Sequence, residues 1–219
     1  MLTMPVNKEL FKVLSLDPGS SHVGVAILLD PLDGSDVIID DSWTIHLKDT
    51  NPMYSEFGDL HGNRVVRLLQ LGDAVTDLCR THRPHAVIVE ANYLGKFATA
   101  FAALVECVAM VRGAVFGYDP FMPLYQVDPS TAKINAGMER IKGTDKEDVR
   151  EAMRVRKGIQ WNVNLDELDE HSVDACAIGL YCTDRITPRV MPTEPLSRVK
   201  AKAKTRKEKR KRRRRGKKR

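Results

Sequence analysis

The chain has no Cys-x-x-Cys pair. Its four cysteines, Cys79, Cys107, Cys176 and Cys182, all fall in apolar, helix-like segments. That argues against structural zinc and against a disulfide framework, and it fits a reducing interior. No window approaches the ~18 uninterrupted apolar residues of a membrane span, so no membrane partner is expected. The N-terminal stretch from Met1 to Lys12 lacks the apolar centre of a secretory signal, and the expected location is cytoplasmic. No internal repeat is present. A total of 219 residues allows one ordinary domain and an appendage.

Acid is nearly missing from the C-terminal end. From Arg198 to Arg219 there are 16 Lys/Arg and one acid, Glu208, a net of +15. The whole chain is +6, which leaves −9 on residues 1–197. The sequence pI near 9.2 therefore describes the tail and not the body. Pro188, Pro192 and Pro195 mark a linker before it. The expected division is a folded domain over residues 1–187 and a linker with a low-complexity, disordered basic tail over 188–219.

The body is organised around Val13 to Ile27. Val13, Leu14 and Leu16 suit a buried strand. Asp17 ends it, Pro18-Gly19 turns the chain, and a second strand returns through Val23, Gly24 and Val25. Gly24 inside that strand implies a close backbone approach or a bulge. A carboxylate at the carboxyl end of a central strand is costly unless it binds something, and open α/β sheets bind ligands there. On this stretch alone, Asp17 could equally be a turn cap.

Pro31 to Gly34 reads as a hairpin turn, and Asp36 to Leu47 as a third strand. Lys48 to Asp59 is turn-rich and acidic, an expected exposed loop. A helix from Leu60 to His82 is stopped by Pro84. Ala86 to Val89 is a short apolar run ending on Glu90, which repeats the design of the first strand. The span from Lys96 to Phe116 is a helix rich in small residues and apolar nearly all round, expected to be buried on more than one side, in the core or against a second subunit. Leu124 to Val127 is a strand. Asp128-Pro129 opens a helix. Thr144 to Glu147 is a capping box for a helix from Asp145 to Lys157, ended by Gly158. A last helix covers Glu170 to Ile186. Three early strands followed by alternating helices and strands predict an α/β layered domain with a partly parallel sheet.

Asp17 and Glu90 then end two strands of that sheet, on one edge. His171 and Asp174, three apart, share one face of the last helix. Val173, Ala177 and Leu180 lie on the neighbouring face that can pack on the sheet. Three carboxylates and a histidine gathered at one edge need a cation. Hard oxygen ligands suit Mg²⁺ or Mn²⁺, and two such ions clamp the attacking and leaving oxygens of a phosphodiester displacement. Read singly, His171 is an ordinary helix-start histidine and Asp174 a solvated acid.

Three segments carry a family resemblance. They are Leu14 to Ser21 with Gly24-Val25-Ala26, Val87 to Tyr93, and His171 to Gly179. Together, in order and spacing over about residues 12–186, this pattern resembles the RuvC group of Holliday-junction resolvases within the RNase H-like superfamily. The resemblance implies an RNase H-like α/β fold with a mixed central sheet, three antiparallel early strands plus parallel ones, flanked by helices. It implies a homodimeric, metal-dependent endonuclease that cuts four-way junctions by two-metal hydrolysis and leaves 5′-phosphate and 3′-hydroxyl ends. Asp17, Glu90, His171 and Asp174 would be the metal ligands and catalytic groups. The family varies between Asp and His at the third position. Tyr93 would stack at the unpaired junction centre, where such stacking is worth ~1–3 kcal/mol per base. Lys133 and Lys146 would contact phosphate, with Lys146 also near the scissile group. The longer acidic stretch from Asp30 to Asp59 and the basic tail depart from the bacterial enzymes and suggest a divergent branch, such as a viral one acting in a host cytoplasm.

Lys133, Arg140, Lys142, Lys146, Arg150, Arg154, Arg156 and Lys157 offer a local DNA-binding face on an otherwise acidic body. The tail from Arg198 to Arg219 adds a sequence-blind phosphate grip, or else acts as a nuclear-localisation signal or a contact to an acidic protein. Other functions compete with the nuclease. An ATPase of the actin and hexokinase type needs a second Gly-rich phosphate loop and a second domain, and this sequence has neither. A catalytically inactive nucleic-acid-binding or packaging protein would have no use for four good metal ligands. A short relative acting in RNA maturation fits the length poorly.

Overall fold

The computed structural model describes residues 10–49, 52–92, 97–138 and 146–187. Six strands form one mixed sheet: β1 (Phe11–Pro18), β2 (His22–Asp30), β3 (Val37–His46), β4 (Ala86–Glu90), β5 (Leu124–Val127) and β6 (Ile159–Trp161). Their order across the sheet is β5-β4-β1-β2-β3-β6. The pairs β1/β2 and β2/β3 are antiparallel, while β1/β4, β4/β5 and β3/β6 are parallel. The expected mixed sheet, three antiparallel early strands plus parallel ones, is the one observed.

The helices are α1 (Ser55–His61), α2 (Asn63–His82), α3 (Ala98–Tyr118), α4 (Pro129–Asn135), α5 (Lys146–Val155) and α6 (Glu170–Tyr181), the last continued by a π-turn (Cys182–Ile186). Side chains alternate across a strand, so the sheet has two apolar faces. Leu14, Leu16, Val25, Val87 and Val89 point at α2 and α3, against Leu71, Val75, Cys107 and Val111. Val13, Ala26, Leu28, Ala86 and Ile88 point at α5 and α6, against Met153, Val173, Ile178 and Leu180. Each such side chain, fully buried, contributes roughly 1.5–3 kcal/mol. Buried on both faces, β4 reads as an unbroken apolar run from Ala86 to Val89, and β1, before Asp17, is apolar on both faces apart from Lys12 and Ser15. All four cysteines are free and buried.

Three expectations need correction. The stretch from Lys48 to Asp59 is not a plain loop. It contains a 3₁₀ turn (Pro52–Tyr54) and α1, broken from α2 by Gly62 at φ +83°. Tyr54 tethers it by a hydrogen bond to Asp73 on α2. Because α1 buries none of its residues, the spacing of its apolar side chains carries no core signal. The three-residue strand β6 was not foreseen, since it is too short for periodicity and follows Gly158 directly. The third is α3. Within the chain it is buried on one face only, through Cys107, Val108, Val111 and Val115, which removes the core alternative and leaves Val105 and Phe116 exposed. Although Glu106 and Arg112 interrupt it, α3 also has the length and apolar composition of a helix that could cross a membrane.

Candidate active site

Parallel pairing sets Leu16 beside Val89, and one step further the two neighbouring strands carry Asp17 and Glu90. Alternation decides where these acids point. Ser15 faces α6, donating its hydroxyl to the Ala175 carbonyl at 2.7 Å. Asp17, two residues on, projects to the same side, and so does Glu90, two residues after Ile88.

The first turn of α6 is drawn tightly onto this edge. Asp169 caps it, accepting from the Ser172 backbone N–H at 2.9 Å and from the Thr44 hydroxyl of β3 at 2.6 Å. The Ser42 hydroxyl lies 3.1 Å from the Ser172 carbonyl. Beneath them Gly24 leaves room for the helix backbone, because a β-carbon there would stand 2.0 Å from the His171 carbonyl oxygen. The close approach read from Gly24 in the sequence is therefore to α6. It brings the His171 ring Nδ1 to 3.2 Å from Asp17 Oδ2. One turn later Asp174 meets Lys133 of α4, Nζ to Oδ2 at 2.8 Å. The structure thus gathers Asp17, Glu90, His171 and Asp174 at one end of the sheet.

Charge is crowded there. The Glu90 carboxyl is pushed up to about 8, first by burial and then by the negative charges of Asp17 and Asp174, with Lys133 opposing. Burial also raises Asp174, against the pull of Lys133. The His171 imidazole is raised mainly by its bond to Asp17, with burial opposing. Both carboxyls are raised first by burial and further by the neighbouring acids, so the site disfavours a full set of negative charges unless a cation joins it.

Three contributors were not read from the sequence. His22 stacks face to face on His171, ring centroids 5.4 Å apart and planes 7° apart, and His46 meets the His22 ring edge-on at 4.9 Å. The β2–β3 register pairs His22 with His46, but no sequence spacing links either to a helix 125 or more residues away. Asn92, two residues beyond Glu90, holds a buried side-chain oxygen with no hydrogen-bond partner among the described residues. Asp169 is the third. Its signal was visible, an acid three residues before Asp-capped Ser172 and just ahead of an apolar run.

The other expected site residues are scattered. Lys133 is turned inward onto Asp174. Arg150 is half-buried and donates to the Leu168 carbonyl at 2.7 Å, tying α5 to the approach to α6. Arg154 pairs with Glu151 and Asp166, and Arg156 with Asp184. Lys146 opens α5, though its side chain lies outside the described residues, as do Tyr93, Arg140, Lys142 and residues 198–219.

The donor set suits a hard divalent cation: three carboxylates and one imidazole. Among the described residues no three His, Cys, Asp or Glu side chains are disposed to hold an ion together. Asp17 is engaged by the His171 ring and Asp174 by the Lys133 ammonium, so two of the acids already have partners within the chain. A bound cation would need Lys133 to yield Asp174.

No protein-family model matches the sequence, and no curated protein does. Solved structures do match. Thermus thermophilus RuvC bound to a Holliday junction superimposes with a TM-score of 0.57 at 20% identity, covering 85% of this chain and 99% of that one. Another T. thermophilus RuvC structure gives 0.55 at 20% identity over 84% and 99%. The yeast mitochondrial Holliday junction resolvase Ydc2 gives 0.53 at 14% identity, over 80% and 78%. The chain carries the fold of these RuvC-type structures.

Proposed function

We propose that this protein is a divalent-metal-dependent endodeoxyribonuclease that cuts four-way or other branched DNA. The observation that carries the reading is the meeting of Asp17, Glu90, His171 and Asp174 at one sheet edge in a RuvC-type fold, with Glu90 pushed up to about 8 by burial and by the charges of Asp17 and Asp174. A RuvC of this fold has been solved on a Holliday junction, which supports branched DNA as the partner.

Asp17, Glu90 and Asp174 would hold one or two Mg²⁺ or Mn²⁺ ions, with His171 completing the shell. The cations supply Lewis-acid stabilisation of charge on the phosphate. The chain's own groups do the rest. Asp17 fixes the His171 ring through Nδ1, so that Nε2, 3.7 Å from Glu170 Oε1, is the atom that would complete the shell. Lys133, once released from Asp174, would meet a phosphate oxygen, and Lys146 would act near the scissile group. The strand ends as a 5′-phosphate and a 3′-hydroxyl. Tyr93 stacks at the junction centre. Lys142, Arg150 and the tail of residues 198–219 grip the backbone, and the domain proper ends near residue 187.

A homodimer would bring two such sites to opposed strands. The open face of α3 suits this. Antiparallel pairing of two copies about Ala109 sets Ala102 against Phe116 and Val105 against Gly113, large against small, with Arg112 facing Glu106, which Arg64 of its own chain already holds at 2.7 Å. The test is incubation with a four-way junction and a matched duplex, with Mg²⁺ or chelator. Paired, metal-dependent nicks in the junction are expected, and binding without cleavage under any divalent cation would sink the proposal.

A further inference from the structure

The turn after β1 holds the His171 ring from two directions. Asp17, at one end of the turn, meets the ring edge at Nδ1, 3.2 Å away. His22, at the other end, lies flat on the ring face, with planes 7° apart and centroids at 5.4 Å. The turn itself is closed by the Gly19 N–H donating to the His22 carbonyl at 2.8 Å. A side chain at Gly19 would collide there, with a β-carbon 2.7 Å from that oxygen. The spacing of Asp17 and His22 is therefore fixed by a rigid backbone.

A single hydrogen bond does not fix an imidazole. The terminal torsion of histidine is broad, and the ring can swing about its Nδ1 contact. A flat partner on one face removes that freedom, because tilting the ring would break the stack. His22 is well placed to be the fixed partner. Its Nδ1 lies 3.0 Å from the Ser21 hydroxyl, and His46 packs edge-on against it at 84°. Its backbone is locked in the β2–β3 ladder opposite His46. A cross-strand His22–His46 pair would explain those two rings alone. It does not explain why His22 lies parallel to a ring on α6.

We propose that His22 is a positioning residue, whose stack sets the plane of the His171 ring and so the direction of Nε2. This rests on the nuclease reading given above. The stack, and not a nitrogen of His22, does the positioning. An aromatic hydrocarbon should therefore substitute for it, and an aliphatic side chain of similar bulk should not.

The test compares His22→Phe with His22→Leu in the full-length protein. Two readouts are taken. In metal-free, DNA-free protein, the His171 ring-proton resonances should carry an upfield ring-current displacement that His22→Phe keeps and His22→Leu loses. In single-turnover junction cleavage, His22→Leu should slow the chemical step roughly ten- to a hundredfold with junction affinity unchanged, and His22→Phe should stay within about threefold of wild type. Positioning by the stack is overturned if the His171 resonances are the same in both variants, or if Phe and Leu slow cleavage equally. Should the wild type cut no junction at all, the nuclease reading fails. The resonances would then still decide whether His22 holds the ring.

Discussion

Gly24 and His171 touch backbone to backbone: a β-carbon on Gly24 would stand 2.0 Å from the His171 carbonyl oxygen and 3.2 Å from the Asp17 β-carbon. A carbonyl in the first turn of a helix cannot move without the helix. Gly24→Ala should therefore lift α6 from the sheet and part His171 from Asp17. Overpacking of this kind costs typically ~1–3 kcal/mol. The expected result is a lower Tm and a loss of cleavage larger than any loss of junction affinity. Wild-type cleavage in Gly24→Ala would show that the helix position does not matter to the chemistry.

Glu90 makes metal-free stability depend on pH in a defined direction. Its carboxyl ordinarily loses its proton at 4.5 and holds it in the folded protein up to about 8. A raised acid binds more protons folded than unfolded. Its contribution is thus fully present below 4.5 and lost as pH rises towards 8. The raised Asp174 adds to the same trend. In chelator, Tm should fall across that window. Mg²⁺ should raise Tm, and by more at the alkaline end, where it replaces a proton already lost. An equal Mg²⁺ increment at both ends, or none, would remove the acid cluster as the cation site.

The α3 pairing predicts its own disruption. Ala109→Glu puts a charge on each side of the two-fold axis, where the copies would approach most closely. Light scattering should report a dimer for wild type and a monomer for the variant, with far-UV circular dichroism unchanged. A monomeric wild type, or a dimeric Ala109→Glu, rules out this face.

Removing residues 198–219 takes away a net charge of +15. Each phosphate released from the grip should flatten the dependence of log affinity on log salt by about 0.9. Binding at moderate salt should weaken and cleavage at low salt should stay within about twofold of wild type. An unchanged salt slope would leave the tail without a role in DNA binding.

Much of this arrangement was legible in the sequence, for identifiable reasons. The apolar runs before Asp17 and Glu90 are the signature of strands buried on both faces, and a common register then puts their terminal acids side by side. His171 and Asp174 follow from helical spacing. Gly24 announced a close approach without naming what approaches. The stack of His22 on His171 was hidden because it joins a strand to a helix far along the chain. The exposure of most of α3 was hidden for another reason, since composition shows that a helix is apolar but not which neighbours it finds. The inward turn of Lys133 onto Asp174 was likewise invisible, as a lysine on a short helix gives no sign of its partner.

The most direct measurement is cleavage of an end-labelled four-way junction by wild type and by Asp17→Asn in Mg²⁺, with binding of the same junction followed in parallel. Asparagine keeps the size of the side chain and removes its charge. The expected result is paired nicks by wild type, none by Asp17→Asn, and junction affinity within about threefold between the two. Cutting by Asp17→Asn at the wild-type rate would contradict the assignment of this sheet edge as the active site.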